Sequence, residues 1–263
     1  MDLERARRVA VDAAEAAGEL LHGDPGWTQA KGTGGDVVTD LDLASEKLIL
    51  GRLQQAFPGD QIVAEESGVS GADGDRVWFV DPLDGTNNVA IGLPVYAVGI
   101  ALCADRLPVV GVVHDPLTRQ TWSAIRQAGA QGPGLPAVPR PHRDPPLLAW
   151  TQGHTVGRAD LTACALRTAL EAHAVRLLQL WAPLVAWIML ARGRIDGFVG
   201  YRAELVDLPA GALIAAESGV VLYGLDGTPF DQHIDLPEAE RSFIACRPAQ
   251  LEVIRSSMSR SPG

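Results

Sequence analysis

Trp78-Phe79-Val80-Asp81-Pro82-Leu83-Asp84-Gly85-Thr86-Asn87-Asn88 is the stretch on which the reading of the chain turns. Trp78 to Val80 predict the end of a buried strand, since aromatic and β-branched residues bounded by turn formers favour that state. Pro82 and Gly85 predict a tight turn that stops the strand. Asp81 and Asp84 fall on that turn with the Leu83 carbonyl between them, an oxygen-only donor set of the kind a hard divalent cation takes. Thr86 and the amides after Gly85 predict a helix start whose free N–H groups suit a phosphate. Taken alone, the fragment reads equally as a ligand-free Asp-Pro-x-Asp-Gly surface turn.

Upstream, Leu3, Ala6, Val9, Ala10, Ala13, Ala17 and Leu20 fall on one side at helical spacing, which predicts an amphipathic helix ending near Gly23. Residues 31–35 read as a flexible loop in which Lys31 is ordinarily solvated. A second helix is expected over 43–57, with Leu48, Ile49, Leu53 and Phe57 inward. Asp42 at its start serves a helix cap as readily as it serves chemistry. Ile62 to Ala64 form a short strand running into Glu65-Glu66-Ser67-Gly68. Paired glutamates ordinarily mark a solvated edge, but these end an apolar strand, so one of them is a candidate to turn inward.

Downstream, the apolar runs 95–103 and 107–115 predict a hairpin of buried strands, and 121–125 a further strand with a break at 129–134. Pro136, Pro139, Pro141, Pro145 and Pro146 mark an extended linker. It divides the chain into an α+β half, residues 1–141, with most of the acidic candidates, and an α/β half, residues 142–263. The second half reads as strand 147–152, helix 159–173, strand 175–180, helix 183–192, strand 195–199, helix 210–218, strands 220–223 and 242–245, and helix 249–258. This irregular alternation predicts an α/β (α+β) protein of layered sheets with helices on their faces.

A chain of 263 residues, 47% hydrophobic and 21% charged, can bury a sizeable core. The net charge of −10 argues against nucleic acid and anionic membrane as partners, because both need a basic face. Cys103, Cys164 and Cys246 lie far apart with no CxxC or Cys/His cluster, as expected of reduced thiols in a cytoplasmic protein. The first residues, with Glu4, Arg5, Arg7 and Arg8, lack a signal-type apolar core, and the apolar run at 183–191 is too short to span a membrane. His114, His154, His173 and His233 show no metal-ligand spacing and read as structural or exposed.

Asp42, Glu65, Asp81, Asp84 and Asp207 each adjoin a turn or a helix start. Brought together without cations they would repel, because burying unpaired carboxylates is costly; with cations they become a cage open to water and phosphate oxygens.

The central motif, with Glu65-Glu66-Ser67 upstream and Asp207…Ala210-Gly211 downstream, resembles the inositol monophosphatase family. That family belongs to the lithium-sensitive, Mg²⁺-dependent phosphomonoesterases, beside fructose-1,6-bisphosphatases and 3′-phosphoadenosine phosphatases. The resemblance spans nearly the whole chain and implies the family's αβαβα sandwich and a small phosphorylated metabolite as substrate. It also implies two or three Mg²⁺ per site and a homodimer. By position, Glu65, Asp81 and the Leu83 carbonyl would hold one ion, and Asp81, Asp84 and Asp207 a second, with a weaker third near Glu65. Thr86 paired with Asp42 would orient and deprotonate the attacking water, and the Gly85 and Thr86 amides would hold the phosphate. Lys31 matches a lysine of the family's mobile loop near the metals. Lys31, Asn87, Trp181, Gly200, Arg202 and Glu204 are the candidates for the alcohol side.

There the chain departs from the pattern. The family usually has Trp-Asp at its last ligand, where this chain has Val206-Asp207. Trp181-Ala182-Pro183 replaces a Gly-Ser/Thr-Ala segment lining the polyol pocket, and Gly200 replaces a glutamate that often contacts inositol. The expected substrate is therefore a sugar, polyol or nucleoside phosphate other than plain inositol 1-phosphate. A 3′-phosphonucleotide or sugar bisphosphate, with Arg158, Arg176 and Arg202 as candidates for a second phosphate, is the alternative, as is a non-catalytic binding protein.

Overall fold

The computed structural model describes residues 2–31, 35–135, 143–230 and 232–259. A hairpin of β1 (Thr28–Lys31) and β2 (Asp36–Thr39) stands apart from two larger sheets. The first has seven strands, β3 (Gln61–Ala64), β4 (Gly68–Ser70), β5 (Arg76–Asp84), β6 (Ala97–Ala104), β7 (Leu107–Asp115), β8 (Gln120–Ile125) and β9 (Gly129–Gln131), in the order β4-β3-β5-β6-β7-β8-β9. Only β3 and β5 run parallel in it. The second has five, β10 (Leu147–Gln152), β11 (Arg176–Leu178), β12 (Gly197–Tyr201), β13 (Val221–Gly224) and β14 (Phe243–Cys246), in the order β11-β10-β12-β14-β13.

Alternation along the strands sets the layers. In β5, Trp78 and Val80 pack with the alanine stripe of α1 (Leu3–Leu20) and with Ile49 and Leu53 of α2 (Asp40–Ala56), while Val77 and Phe79 face the other way. That opposite face meets α5 (Pro183–Ala191) and α6 (Pro209–Ala216), which also cover Phe198 and Phe243 of the second sheet. The far face of the second sheet, with Leu148, Trp150 and Ile244, is closed by α4 (Leu161–His173) and α7 (Leu251–Ser259). The order is thus helices, sheet, helices, sheet, helices, the expected αβαβα sandwich. Close approach of α6 to β7 depends on Gly111, where a Cβ would stand 2.7 Å from the Ala210 carbonyl oxygen.

Several local expectations shift. The strand at Trp78 does not stop at Pro82 but continues to Asp84. The second helix starts at Asp40 with Thr39 as its cap, rather than at residue 43, because Thr39 and Asp42 form a capping box. Lys31 ends strand β1 instead of lying in a loop, and Leu20 is exposed while Leu21 is buried. The β12 strand runs two residues later than 195–199. Residues 32–34 of the expected loop, and Pro136, Pro139 and Pro141 of the expected linker with the 141/142 boundary, lie outside the described residues. Among the described residues no helix is long and apolar enough to cross a membrane.

Candidate active site

Side chains three apart on a regular strand point to opposite faces, so Asp81 and Asp84 could not share a site on an ideal β5. The strand solves this with a bulge: Asp81 pairs Gly99 and Asp84 pairs Ala97, three steps against two. Val80 and Leu83 consequently both face the α1/α2 layer, and both aspartates face away from it. Pro82 sits inside the irregularity, where a missing N–H breaks no ladder bond. The next residue, Gly85, takes φ 102° and ψ 30°, and a Cβ there would stand 2.7 Å from the Val95 carbonyl oxygen. Only glycine fits this turn, which opens the short helix α3 (Thr86–Ala90).

Helix α2 meets this turn with buried polar side chains. Asp42 Oδ2 accepts from the Thr39 amide (2.8 Å) and hydroxyl (2.5 Å), and its Oδ1 accepts from the Thr86 hydroxyl at 2.6 Å. Capping and the link to Thr86 are therefore both true of one carboxylate. The Thr86 hydroxyl also lies 2.9 Å from the Leu83 carbonyl oxygen. Burial raises the Asp42 carboxyl above its ordinary range, and the bonds from Thr39 and Thr86 partly offset this. One helical turn on, the Ser45 hydroxyl donates to the Pro82 carbonyl at 2.8 Å. Glu46 accepts from the Glu66 and Ser67 amides at 2.9 and 3.0 Å. Glu65 and Glu66 both turn toward Lys31, whose ammonium donates to Glu65 at 2.9 Å and to Glu66 at 2.8 Å. Burial alone would lower the Lys31 pKa, but the two glutamates overcome it and raise it.

Asp207, just before α6, arrives from the other end of the chain: oxygens of Asp81, Asp84 and Asp207 all lie within 4.8 Å of one another. Asp81 is also within hydrogen-bonding reach of Glu65. Asp84 is held from behind by the Leu184 amide at 2.6 Å, at the start of α5. Burial, and then mutual repulsion, push Asp81 and Asp84 well above the carboxylate range. Asp207 rises to about 7 through burial and then the charge of Glu65. Such a set holds protons or a cation; its donors are all oxygen, which fits a hard divalent ion.

The model of the inositol monophosphatase family matches residues 2–258. Inositol monophosphatase 1 of Solanum lycopersicum is 32% identical over 87% of this chain and 88% of its own. The chain belongs to the inositol monophosphatase family. With it the chain joins the phosphoric monoester hydrolases. Histidinol-phosphatase of Streptomyces coelicolor is 34% identical over 73% of this chain and 75% of its own. Among solved structures, the extragenic suppressor protein suhB of Bartonella henselae superposes with a TM-score of 0.84 at 26% identity, covering 97% of this chain and 98% of its own.

Around the residues expected on the alcohol side, this member of the inositol monophosphatase family is more exposed than at its acidic cluster. Asn87 donates to Asp36 at 3.2 Å, and His154 stands 3.9 Å from the same carboxylate. Glu204 accepts from the His154 amide at 2.8 Å and adds to the negative charge around Asp207. Trp181 is 63% exposed at φ 53°. Its segment is pinned on both sides, by Asn88 donating to Leu180 at 2.7 Å and by the Leu184 bond to Asp84. Arg202, at φ 48°, lies over the Tyr201 ring. Gly200 is buried in β12 against the Phe243 ring. Sequence reasoning did not single out Asp36, Ser45, Glu46 or Asn88, which the structure places around the candidate site; His154, read as structural or exposed, is exposed. For Ser45 and Glu46 a signal existed, since they share with Asp42, Ile49 and Leu53 the single buried face of α2.

Proposed function

We propose that this protein is a Mg²⁺-dependent phosphomonoesterase of a small sugar, polyol or nucleoside phosphate other than plain inositol 1-phosphate. The observation that carries the reading is the meeting of Asp81, Asp84 and Asp207 beside the hydrogen-bonded Thr86–Asp42 pair. Glu65, Asp81, Asp84, Asp207 and the Leu83 carbonyl would hold the ions, two firmly and a third near Glu65. Bound Mg²⁺ would neutralise the carboxylates, acidify the attacking water and stabilise charge on the phosphoryl oxygens and the departing alkoxide.

This chain's residues would do the rest. The Thr86 hydroxyl has one proton and gives it to Asp42 at 2.6 Å, which leaves its lone pairs free to accept from the attacking water. Asp42, made more basic by burial, would draw the proton onward. Gly85 and Thr86 present amides at the first turn of α3, where N–H groups lack helical partners, toward a phosphate. Water would then enter opposite the ester oxygen and displace the alcohol.

The alcohol is set by the rim. Relatives of similar identity are named for two different alcohols, so membership leaves this choice open. A bulky exposed Trp181, and a Gly200 that offers no acceptor because the Phe243 ring fills the place a side chain there would take, disfavour a substrate that needs every hydroxyl satisfied. For the bisphosphate alternative, Arg176 of the edge strand β11 donates to the preceding Val175 carbonyl and Arg202 covers Tyr201, while the Arg158 guanidinium lies beside Gly35, 3.2 Å from where a Cβ there would stand, which leaves Arg158 as its candidate. Hydrolysis of p-nitrophenyl phosphate, followed by a panel of sugar, polyol and nucleoside phosphates, tests the reading. Turnover that depends on Mg²⁺ and does not favour inositol 1-phosphate is expected. Absence of any Mg²⁺-dependent hydrolysis would overturn the reading.

A further inference from the structure

One face of α2 is polar where it should be apolar. Asp42, Ser45 and Glu46 stand at helical positions i, i+3 and i+4, all buried, and Ile49 and Leu53 continue the same face as ordinary core. Glu46 is only 4% exposed. A carboxylate is buried at such a place only when its oxygens are satisfied. Its partners are two consecutive backbone amides, of Glu66 and Ser67, one to each oxygen, at 2.9 and 3.0 Å. Those amides directly follow Glu65. Ser45 does the matching task on the neighbouring segment, donating at 2.8 Å to the Pro82 carbonyl that lies between Asp81 and Leu83.

We propose that Glu46 and Ser45 are positioning residues of the cation site. Neither reaches the acidic cluster itself. They clamp the two backbone segments that present Glu65 on one side, and Asp81 with the Leu83 carbonyl on the other, so that both face one point. The inference rests on the metal-dependent reading above. Carboxylate geometry matters as well as charge: glutamine offers one acceptor for two N–H groups, and aspartate is a methylene too short to reach them.

The test is Mg²⁺ binding by calorimetry to the full chain, with thermal unfolding of the same samples. Glu46→Gln and Glu46→Asp are both expected to weaken Mg²⁺ binding by about 10-fold or more, the scale on which groups that orient metal ligands act. Ser45→Ala is expected to weaken it by a smaller factor, with cooperative unfolding retained. Unchanged affinity in the Glu46 variants with a lowered unfolding midpoint would reduce Glu46 to a core group and overturn the proposal. Wild-type affinity in Glu46→Asp alone would assign the effect to charge and also overturn it. If the Glu46 variants do not fold, Ser45→Ala decides: unchanged affinity rejects the clamp. A wild-type protein that binds no Mg²⁺ would instead reject the metal-dependent reading.

Discussion

Around Asp81, Asp84 and Asp207, each supporting segment is tied down by backbone or buried side chains: the β5 bulge, the α2 clamp, the Leu184 amide behind Asp84. Around Trp181 and Arg202, bulky residues project at positive φ from partly exposed backbone, a conformation held only where the surroundings impose it. The contrast places two tasks on two kinds of structure. The acidic wall sits where a sheet ends against a helix, so altering one residue disturbs several. At Trp181, Arg202 and Glu204 the wall proposed to face the alcohol is built on loops, whose side chains can change without moving the carboxylates.

Breaking the acidic wall should have the largest effect. Asp84→Asn is expected to reduce phosphate-ester turnover by roughly 10³-fold or more, since it removes charge from the cation cage. The same variant should raise the unfolding midpoint of the metal-free protein near neutral pH, because a buried carboxyl that must either take up a proton or repel its neighbours is gone. An active Asp84→Asn enzyme would remove Asp84 from the site. Thr86→Ala should lower turnover by about 10²-fold or more while Mg²⁺ affinity measured by calorimetry stays near wild type. A large loss of affinity would move Thr86 from proton transfer to metal support.

The rim should respond differently. Trp181→Gly is expected to change the ratio of kcat/KM between two phosphate esters by about 10-fold or more, with Mg²⁺ affinity untouched. Equal shifts for every ester would take Trp181 out of alcohol recognition. Lys31 is the smallest and most pointed case, because its ammonium occupies the Glu65 oxygen that a cation would need. Lys31→Gln should tighten Mg²⁺ binding a few-fold, and weaker binding in that variant would show that Lys31 supports the ion instead of competing with it.

Much of this was legible in the sequence because it depends on local rules. The apolar periods of α1 and α2 announce buried faces, and Gly85 between acidic and hydroxyl residues announces a turn. The bulge was not legible. Pro82 reads as a strand stop, yet the ladder resumes at Asp84 because Ala97 remains within reach, a fact of β6 rather than of β5. For Glu46 the helical period marks the inward face, but its partners were not legible: only the fold brings the Glu66 and Ser67 amides beneath it. Asp207 could be nominated from its motif, but its distance from Asp81 is set by α6 packing against β7 through Gly111.

The central claim is that the three aspartates, once their protons leave, tolerate one another only through a cation, and unfolding midpoints at pH 5 and pH 8, with and without Mg²⁺, test it most directly. The folded metal-free protein keeps protons on Asp81, Asp84 and Asp207 that the unfolded chain loses near pH 4. These groups' contribution is therefore fully present below about pH 4 and declines as pH rises through about 7, the value to which Asp207 is raised. At pH 8, Mg²⁺ at 100 times its Kd should restore about 2.7 kcal/mol, several degrees in midpoint, and clearly less at pH 5, where protons compete. A midpoint at pH 8 that does not move with Mg²⁺ would contradict the account.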